Sequence, residues 1–186
     1  MRKQLVSASK FLSLVLRHQP DVIGMKLDDG GWLDIGELIQ NANAAGKRLT
    51  LEMVHEIVET NDKKRFALSD DGLRIRASQG HSIATVDLNL SPMTPPHPLF
   101  HGTVEAFLPS ILDRGLVKRS RNHVHLSADR ETATKVASRR GKPVILCIDT
   151  QSMSRDEIPF YQSDNGVWLV DAVPAHYLSR DVATSD

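Results

Sequence analysis

Four of the chain's nine prolines fall within eight residues, Ser91-Pro92-Met93-Thr94-Pro95-Pro96-His97-Pro98. Proline has no backbone N–H, and its ring collides with the preceding helical turn. Such a segment can be neither helix interior nor central strand. It reads as a semi-rigid linker. The 186 residues are thereby cut into two stretches, 1–90 and 99–186, joined by 91–98. Each is the size of a small domain with its own core.

Charge narrows the function classes. Lys plus Arg equals Asp plus Glu, 23 each, so the formal net charge is zero. There is no global basic field, and any nucleic-acid contact must come from a local cluster. The one cysteine, Cys147, lies in the apolar run Pro143 to Ile148. A disulfide within the chain is impossible, and a buried, inert thiol is expected. Arg2 and Lys3 are followed by no apolar core, and no apolar segment is long enough to span a bilayer. The expectation is a soluble cytoplasmic protein with no membrane partner.

In the first stretch, Phe11, Leu12, Leu14, Val15 and Leu16 predict a helix from Ser7 to His18, stopped by Pro20. Arg17 and His18 then fall in its last turn. Complementing the helix dipole accounts for one cation there, less well for two. Asp28-Asp29-Gly30-Gly31 is a turn, and Trp32-Leu33 a short strand. Ile35 to Ala45 is an amphipathic helix closed by Gly46, and Thr50 caps another through Val58. Between Lys63 and Arg76, two alternating runs flank Asp71-Gly72, a hairpin signal. Three helices, a strand and a hairpin read as a winged helix. Lys63, Lys64 and Arg65 form a dense basic run, which either meets phosphates or is a solvated face. Arg76-Ala77-Ser78-Gln79-Gly80-His81-Ser82 is small and polar. It is either an ordinary exposed loop or one that turns Arg76 and backbone donors onto a phosphate.

The second stretch opens with the strand Leu99-Phe100-His101-Gly102-Thr103, where Gly102 would let a ligand approach the backbone. A helix through Phe107, Leu108, Ile111 and Leu112 closes at Gly115. Ser120 to Ser127 alternates with period two, placing Arg121, His123, His125 and Ser127 on one face. That face suits an anionic, hydroxyl-rich ligand or is a wet edge. A helix from Asp129 to Arg140, a buried strand at Val144 to Ile148, strands at Ile158 to Phe160 and Gly166 to Val170, and a last edge at Val173 to Leu178 complete an α+β unit. No Gly-x-Gly-x-x-Gly and no Walker loop is present, which removes Rossmann and P-loop nucleotide sites. His123 and His125 lack a cysteine or clear carboxylate partner, so no metal is expected.

Five segments in order resemble the RNA 2′-phosphotransferase family of the tRNA-splicing type. They are Leu16-Arg17-His18, Arg76 to Ser82, Phe100 to Thr103, Ser120 to Asp129, and Asn165-Gly166-Val167-Trp168-Leu169. The resemblance implies a winged-helix lobe and an ADP-ribosyltransferase-like lobe with the active site between them, and a monomer suits that arrangement. It implies that an internal RNA 2′-phosphate attacks NAD+, expelling nicotinamide. An RNA–phospho–ADP-ribose intermediate then resolves to 2′-hydroxyl RNA and ADP-ribose 1″,2″-cyclic phosphate. By the same resemblance Arg17, Arg76 and Arg121 grip the phosphate and His18 assists the second step. His101, Gly102 and Thr103, with His125, Leu126, Ser127 and Val167, line the NAD+ pocket. RNA contacts would involve Lys63, Lys64, Arg65, Gln79 and His81. Val167 stands where many ADP-ribosyltransferases carry a Glu that steers an external acceptor. Arg119 and Arg139 compete for the Arg121 role, and the alternation favours Arg121. Two rivals are an ADP-ribosyltransferase acting on protein or nucleic-acid ends, and a winged-helix DNA-binding regulator.

Overall fold

The structure is a computed structural model and describes residues 2–181. Two compact units, Met1–Asn89 and Leu90–Asp186, each hold their own hydrophobic core.

In the first unit, α1 (Arg2–Val15) buries Ala8, Leu12 and Val15. The helix stops at Val15, three residues short of the predicted end. His18 N–H and Gln19 N–H both donate to Leu14 O at 2.9 Å, closing a turn before a 3-10 segment at Pro20–Ile23. Arg17 and His18 thus lie beyond α1, not in its last turn. Next come β1 (Trp32–Asp34) and α2 (Ile35–Ala44), whose first turn is capped by the Asp34 carboxylate accepting from Glu37 N–H at 2.8 Å. Thr50 caps α3 (Leu51–Glu59) through Met53 N–H. The hairpin forms as β2 (Phe66–Leu68) and β3 (Arg74–Ala77), turning at Gly72 with φ +71°. β3 is the central strand, paired antiparallel with both β1 and β2. Ile75 enters the core beneath Leu12, Leu38 and Val54, so Arg74 and Arg76 point to the opposite face.

The second unit begins with β4 (Leu99–Val104), a 3-10 turn and α4 (Leu108–Arg114). Then follow β5 (Leu116–Val117), β6 (Val124–Leu126), α5 (Arg130–Ala137), β7 (Pro143–Ile148) and α6 (Thr150–Arg155). The chain ends through β8 (Tyr161–Gln162), β9 (Trp168–Val170), β10 (Ala172–Val173) and β11 (Leu178–Arg180). β7 is central in the order β11-β7-β4, β9 in β6-β9-β8, and β10 pairs with β5. Phe100 and Ser127 exchange backbone hydrogen bonds of 2.9 and 2.8 Å, which tie β4 to the end of β6.

Several predicted boundaries move for physical reasons. The expected strand Ile158–Phe160 is irregular: Ile158 N–H closes α6 by donating to Met153 O, Pro159 has no donor, and pairing starts only at Tyr161. Helix α6 was not anticipated; the Asp149 carboxylate caps it at Ser152. Helix α5 ends at Ala137 instead of Arg140. The alternating stretch is a strand only from Val124, with Arg121 N–H donating to Lys118 O in a preceding turn. Gly102 also has a different reason to be glycine. A methyl group there would lie 2.0 Å from the carbonyl oxygen of Ala133, so the close approach is by the α5 backbone and not by a ligand. Among the described residues, no helix is long and apolar enough to cross a membrane.

Because backbone cannot retreat as a side chain can, Gly102→Ala should destabilise the protein by about 3 kcal/mol or more, above the usual cost of overpacking. Urea unfolding checks this; a loss below about 1 kcal/mol would show that α5 is free to move aside.

Candidate active site

In the first unit, two loops meet that are far apart in sequence. Ser82 N–H donates to Arg17 O at 2.9 Å, and the Ser82 hydroxyl lies 2.9 Å from His18 Nδ1. Gly80 has φ +88°, and a methyl group on it would lie 3.8 Å from the Arg17 guanidinium. The Arg17 side chain therefore runs across the Gly80 backbone. Arg76 stacks its guanidinium over the Trp32 ring at 4.6 Å, with Arg74 over the same ring at 5.5 Å.

His81 sits among these groups, 2% exposed. Burial first, then the charges of Arg17, Arg76 and His18, push its pKa from 6.5 down to about 4. The charged groups that act on it are all cationic. Cationic side chains crowded around a neutral imidazole form a local positive constellation. Arg17, His18, Arg76 and His81 are thus brought together. His81 serves as a buried member of the cluster and not as an exposed RNA contact.

The basic run is organised by the same loop. Ser78 donates its hydroxyl to Lys64 O at 2.7 Å and its N–H to Arg65 O at 2.9 Å. Lys63 and Lys64 are exposed, whereas Arg65 and Gln79 are half-buried. The open groove lined by Asp28, Asp34 and Glu37 shares Trp32 with the cluster, but its carboxylates suit no phosphate.

In the second unit, His101 Nδ1 lies 3.1 Å from the His125 carbonyl. A carbonyl only accepts, so Nδ1 carries the proton. Burial, with a smaller push from the Arg140 charge, lowers the His101 pKa, which keeps the ring neutral and Nε2 an acceptor. Arg121 Nη1 donates to His125 Nδ1 at 3.2 Å, so His125 carries its proton on Nε2. Although Arg121 is exposed as a residue, its guanidinium folds back here. Partial burial and Arg140 both lower its pKa. Arg119 instead lies over the Phe107 ring at 5.8 Å.

The remaining residues of this unit divide by burial. Ser127 follows β6, paired to Phe100. Leu126 is 2% exposed within the core, so its side chain is packing. Thr103 is also buried. Val167 lies in the turn before β9, its N–H and carbonyl both bound to Ser163. His123 stacks on Tyr161 at 5.8 Å, and no His, Cys, Asp or Glu side chains group as metal ligands among the described residues.

Three participants were missed from sequence. Trp32 was read only as a strand residue. Ser82 was quoted in a motif without a role. Arg140 was passed over for Arg139, although the pair Arg139-Arg140 before Gly141 at a helix end repeats the signal that drew attention to Arg17-His18.

Each unit thus gathers cationic side chains beside a neutral imidazole, and comparison with known proteins gives the class. The RNA 2′-phosphotransferase, Tpt1 / KptA family matches residues 3–172. A protein of Rhodopirellula baltica named "Probable RNA 2′-phosphotransferase" is 70% identical over 177 residues, 95% of this chain and 96% of that one. Proteins of the same name from Flavobacterium johnsoniae and Burkholderia pseudomallei are 56% and 57% identical, each over 92% of this chain and over 94% and 92% of their own. The chain belongs to the RNA 2′-phosphotransferase family, and is an enzyme of that kind.

The His81 geometry has a consequence for stability. The unfolded chain binds a proton at this imidazole near pH 6.5, the folded protein only near 4. Between those values the unfolded state holds more protons, so stability should fall by about 3 kcal/mol as pH drops through that window. Urea unfolding of the parent and of His81→Asn from pH 7 to 4 checks this. The variant should show a shallower slope; parallel slopes would mean that His81 protonates freely in the fold.

Proposed function

We propose that the enzyme transfers an internal RNA 2′-phosphate to NAD+, yielding 2′-hydroxyl RNA, nicotinamide and ADP-ribose 1″,2″-cyclic phosphate by way of RNA–phospho–ADP-ribose. The observation that carries this reading is the cluster of Arg17, His18 and Arg76 around a neutral His81. A phosphate monoester is already an anionic nucleophile, so no base is needed to create it. The protein's task is to hold it and to stabilise crowded charge. Guanidinium groups suit that task because they stay charged and bind phosphate through paired N–H donors. Arg17 and Arg76 are assigned to the 2′-phosphate; the family resemblance assigns Arg121 to it as well, and to the NAD+ side.

The donor set of the second unit fits a dinucleotide. Neutral His101 offers Nε2 as an acceptor for a ribose hydroxyl. Arg121, with Arg140 close enough to lower its pKa, suits a diphosphate. NAD+ supplies the electrophilic ribose carbon and the leaving nicotinamide; the residues named here bind and orient. Val167 brings no carboxylate to steer an external acceptor, which supports a phosphate acceptor over a protein side chain. Three helices followed by the β2–β3 hairpin support a winged-helix reading of the first unit. The short-stranded second unit supports an ADP-ribosyltransferase-like one.

Incubation with NAD+ and a 2′-phosphorylated oligonucleotide, followed by chromatography, tests the reaction. Nicotinamide and the cyclic phosphate should appear together with 2′-hydroxyl RNA. Inorganic phosphate released without NAD+ consumption would overturn the NAD+ reading. Arg76→Ala or Arg121→Ala should slow turnover at least about 100-fold, the scale for removing one preorganised charge-stabilising donor. Near-parental turnover by either variant would remove that arginine from the site. His18→Ala should slow the second step more than the first, so that RNA–phospho–ADP-ribose builds up. Loss of activity without that build-up would give His18 another role.

A further inference from the structure

The Ser82 hydroxyl has one proton and two nearby acceptors. His18 Nδ1 is 2.9 Å away, and Arg17 O is 3.5 Å away. The longer separation is a poor hydrogen bond, and Arg17 O already accepts from Ser82 N–H at 2.9 Å. Across the 2.9 Å separation, a neutral His18 either accepts the hydroxyl proton at Nδ1 or, in its other tautomer, donates Nδ1–H to the serine oxygen. An imidazole that accepts at Nδ1 carries its own proton on Nε2, which becomes a donor aimed away from Ser82. When His18 gains a second proton the roles reverse without moving any heavy atom. Nδ1–H then donates to the serine oxygen, and the hydroxyl proton turns toward Arg17 O. From the accepting tautomer to the charged ring, the orientation is kept, and Nε2 keeps its hydrogen.

We propose that Ser82 is a positioning residue, which orients the His18 ring and, by donating to Nδ1, selects the tautomer that presents Nε2–H as a donor to a phosphoryl oxygen. The proposal rests on the reading of His18 as a participant in the reaction. Its special feature is that one residue places two neighbours. The backbone of Ser82 fixes the Arg17 carbonyl, and its hydroxyl fixes the His18 ring. The pair Arg17-His18 lies beyond α1, whose Leu14 carbonyl fixes the His18 backbone but not its ring. The orientation comes from a residue more than sixty positions later. An exposed histidine without such a partner would rotate about its side-chain bonds and present Nε2–H only part of the time.

A double-mutant cycle in the full chain tests this. Ser82→Ala retains the N–H that holds Arg17 O, so the loop should stay in place, and a thermal melt within a few degrees of the parent checks that it does. The expected result is a fall in kcat of about 10-fold, in line with loss of orientation of a reacting group, with KM for NAD+ and for RNA little changed. Ser82→Thr, which keeps the hydroxyl, should recover most of the lost rate. In a His18→Ala background, Ser82→Ala should cost nothing further, since residues acting as a unit are not additive. An equal added loss in that background, a parental rate in Ser82→Ala, or a loss confined to KM would each overturn the proposal. Parental turnover by His18→Ala itself would remove His18 from the chemistry. That result would overturn both readings, and it is recognisable because it involves no change at Ser82.

Discussion

The backbone hydrogen bond from Ser82 N–H to Arg17 O ties together two of the segments that carry the first unit's cationic cluster. It joins the turn after α1 to the loop after β3. Arg76 is held independently by β3, so this bond brings the Arg17-His18 turn toward the strand end that carries Arg76. Like charges resist being gathered, and uncharged contacts contribute to holding them. Here those contacts are the Ser82 bond, the Gly80 backbone beneath the Arg17 side chain, the Trp32 ring beneath Arg76 and the buried His81.

The second unit solves the complementary problem of presenting a neutral acceptor. His101 is buried, and its Nδ1–H is committed to a carbonyl of the neighbouring strand. Desolvation then keeps the ring uncharged while Arg121 and Arg140 supply charge beside it. The chain thus keeps its neutral and its charged functions on separate side chains that share one strand partner, His125.

Much of this was legible in sequence, for reasons that differ by residue. The hairpin at Asp71-Gly72 and the cap at Thr50 are local chemistry, and local chemistry is visible in a few adjacent letters. The alternation at Val124 and Leu126 correctly separated core from surface, and it placed Arg121 beside His125. The route was different, however: Arg121 reaches His125 from a turn, because the strand begins only at Val124. What stayed hidden depends on contacts between distant segments. Gly102 looked like a ligand-facing glycine because nothing nearby in sequence reveals that α5 packs onto it. Ser82 and Trp32 took on meaning only once Arg17, His18 and Arg76 were placed beside them. His81, expected at the RNA surface, is buried because the loop folds inward over it.

The contact between Gly102 and α5 settles one more matter. Adjacent residues of a strand point to opposite sides. Since Gly102 turns toward α5, His101 turns away from it, and that flank of β4 is walled off by helix backbone. The close packing of a glycine against a helix therefore settles which way its neighbour's imidazole faces: toward β6, where the His125 carbonyl takes up the Nδ1 proton.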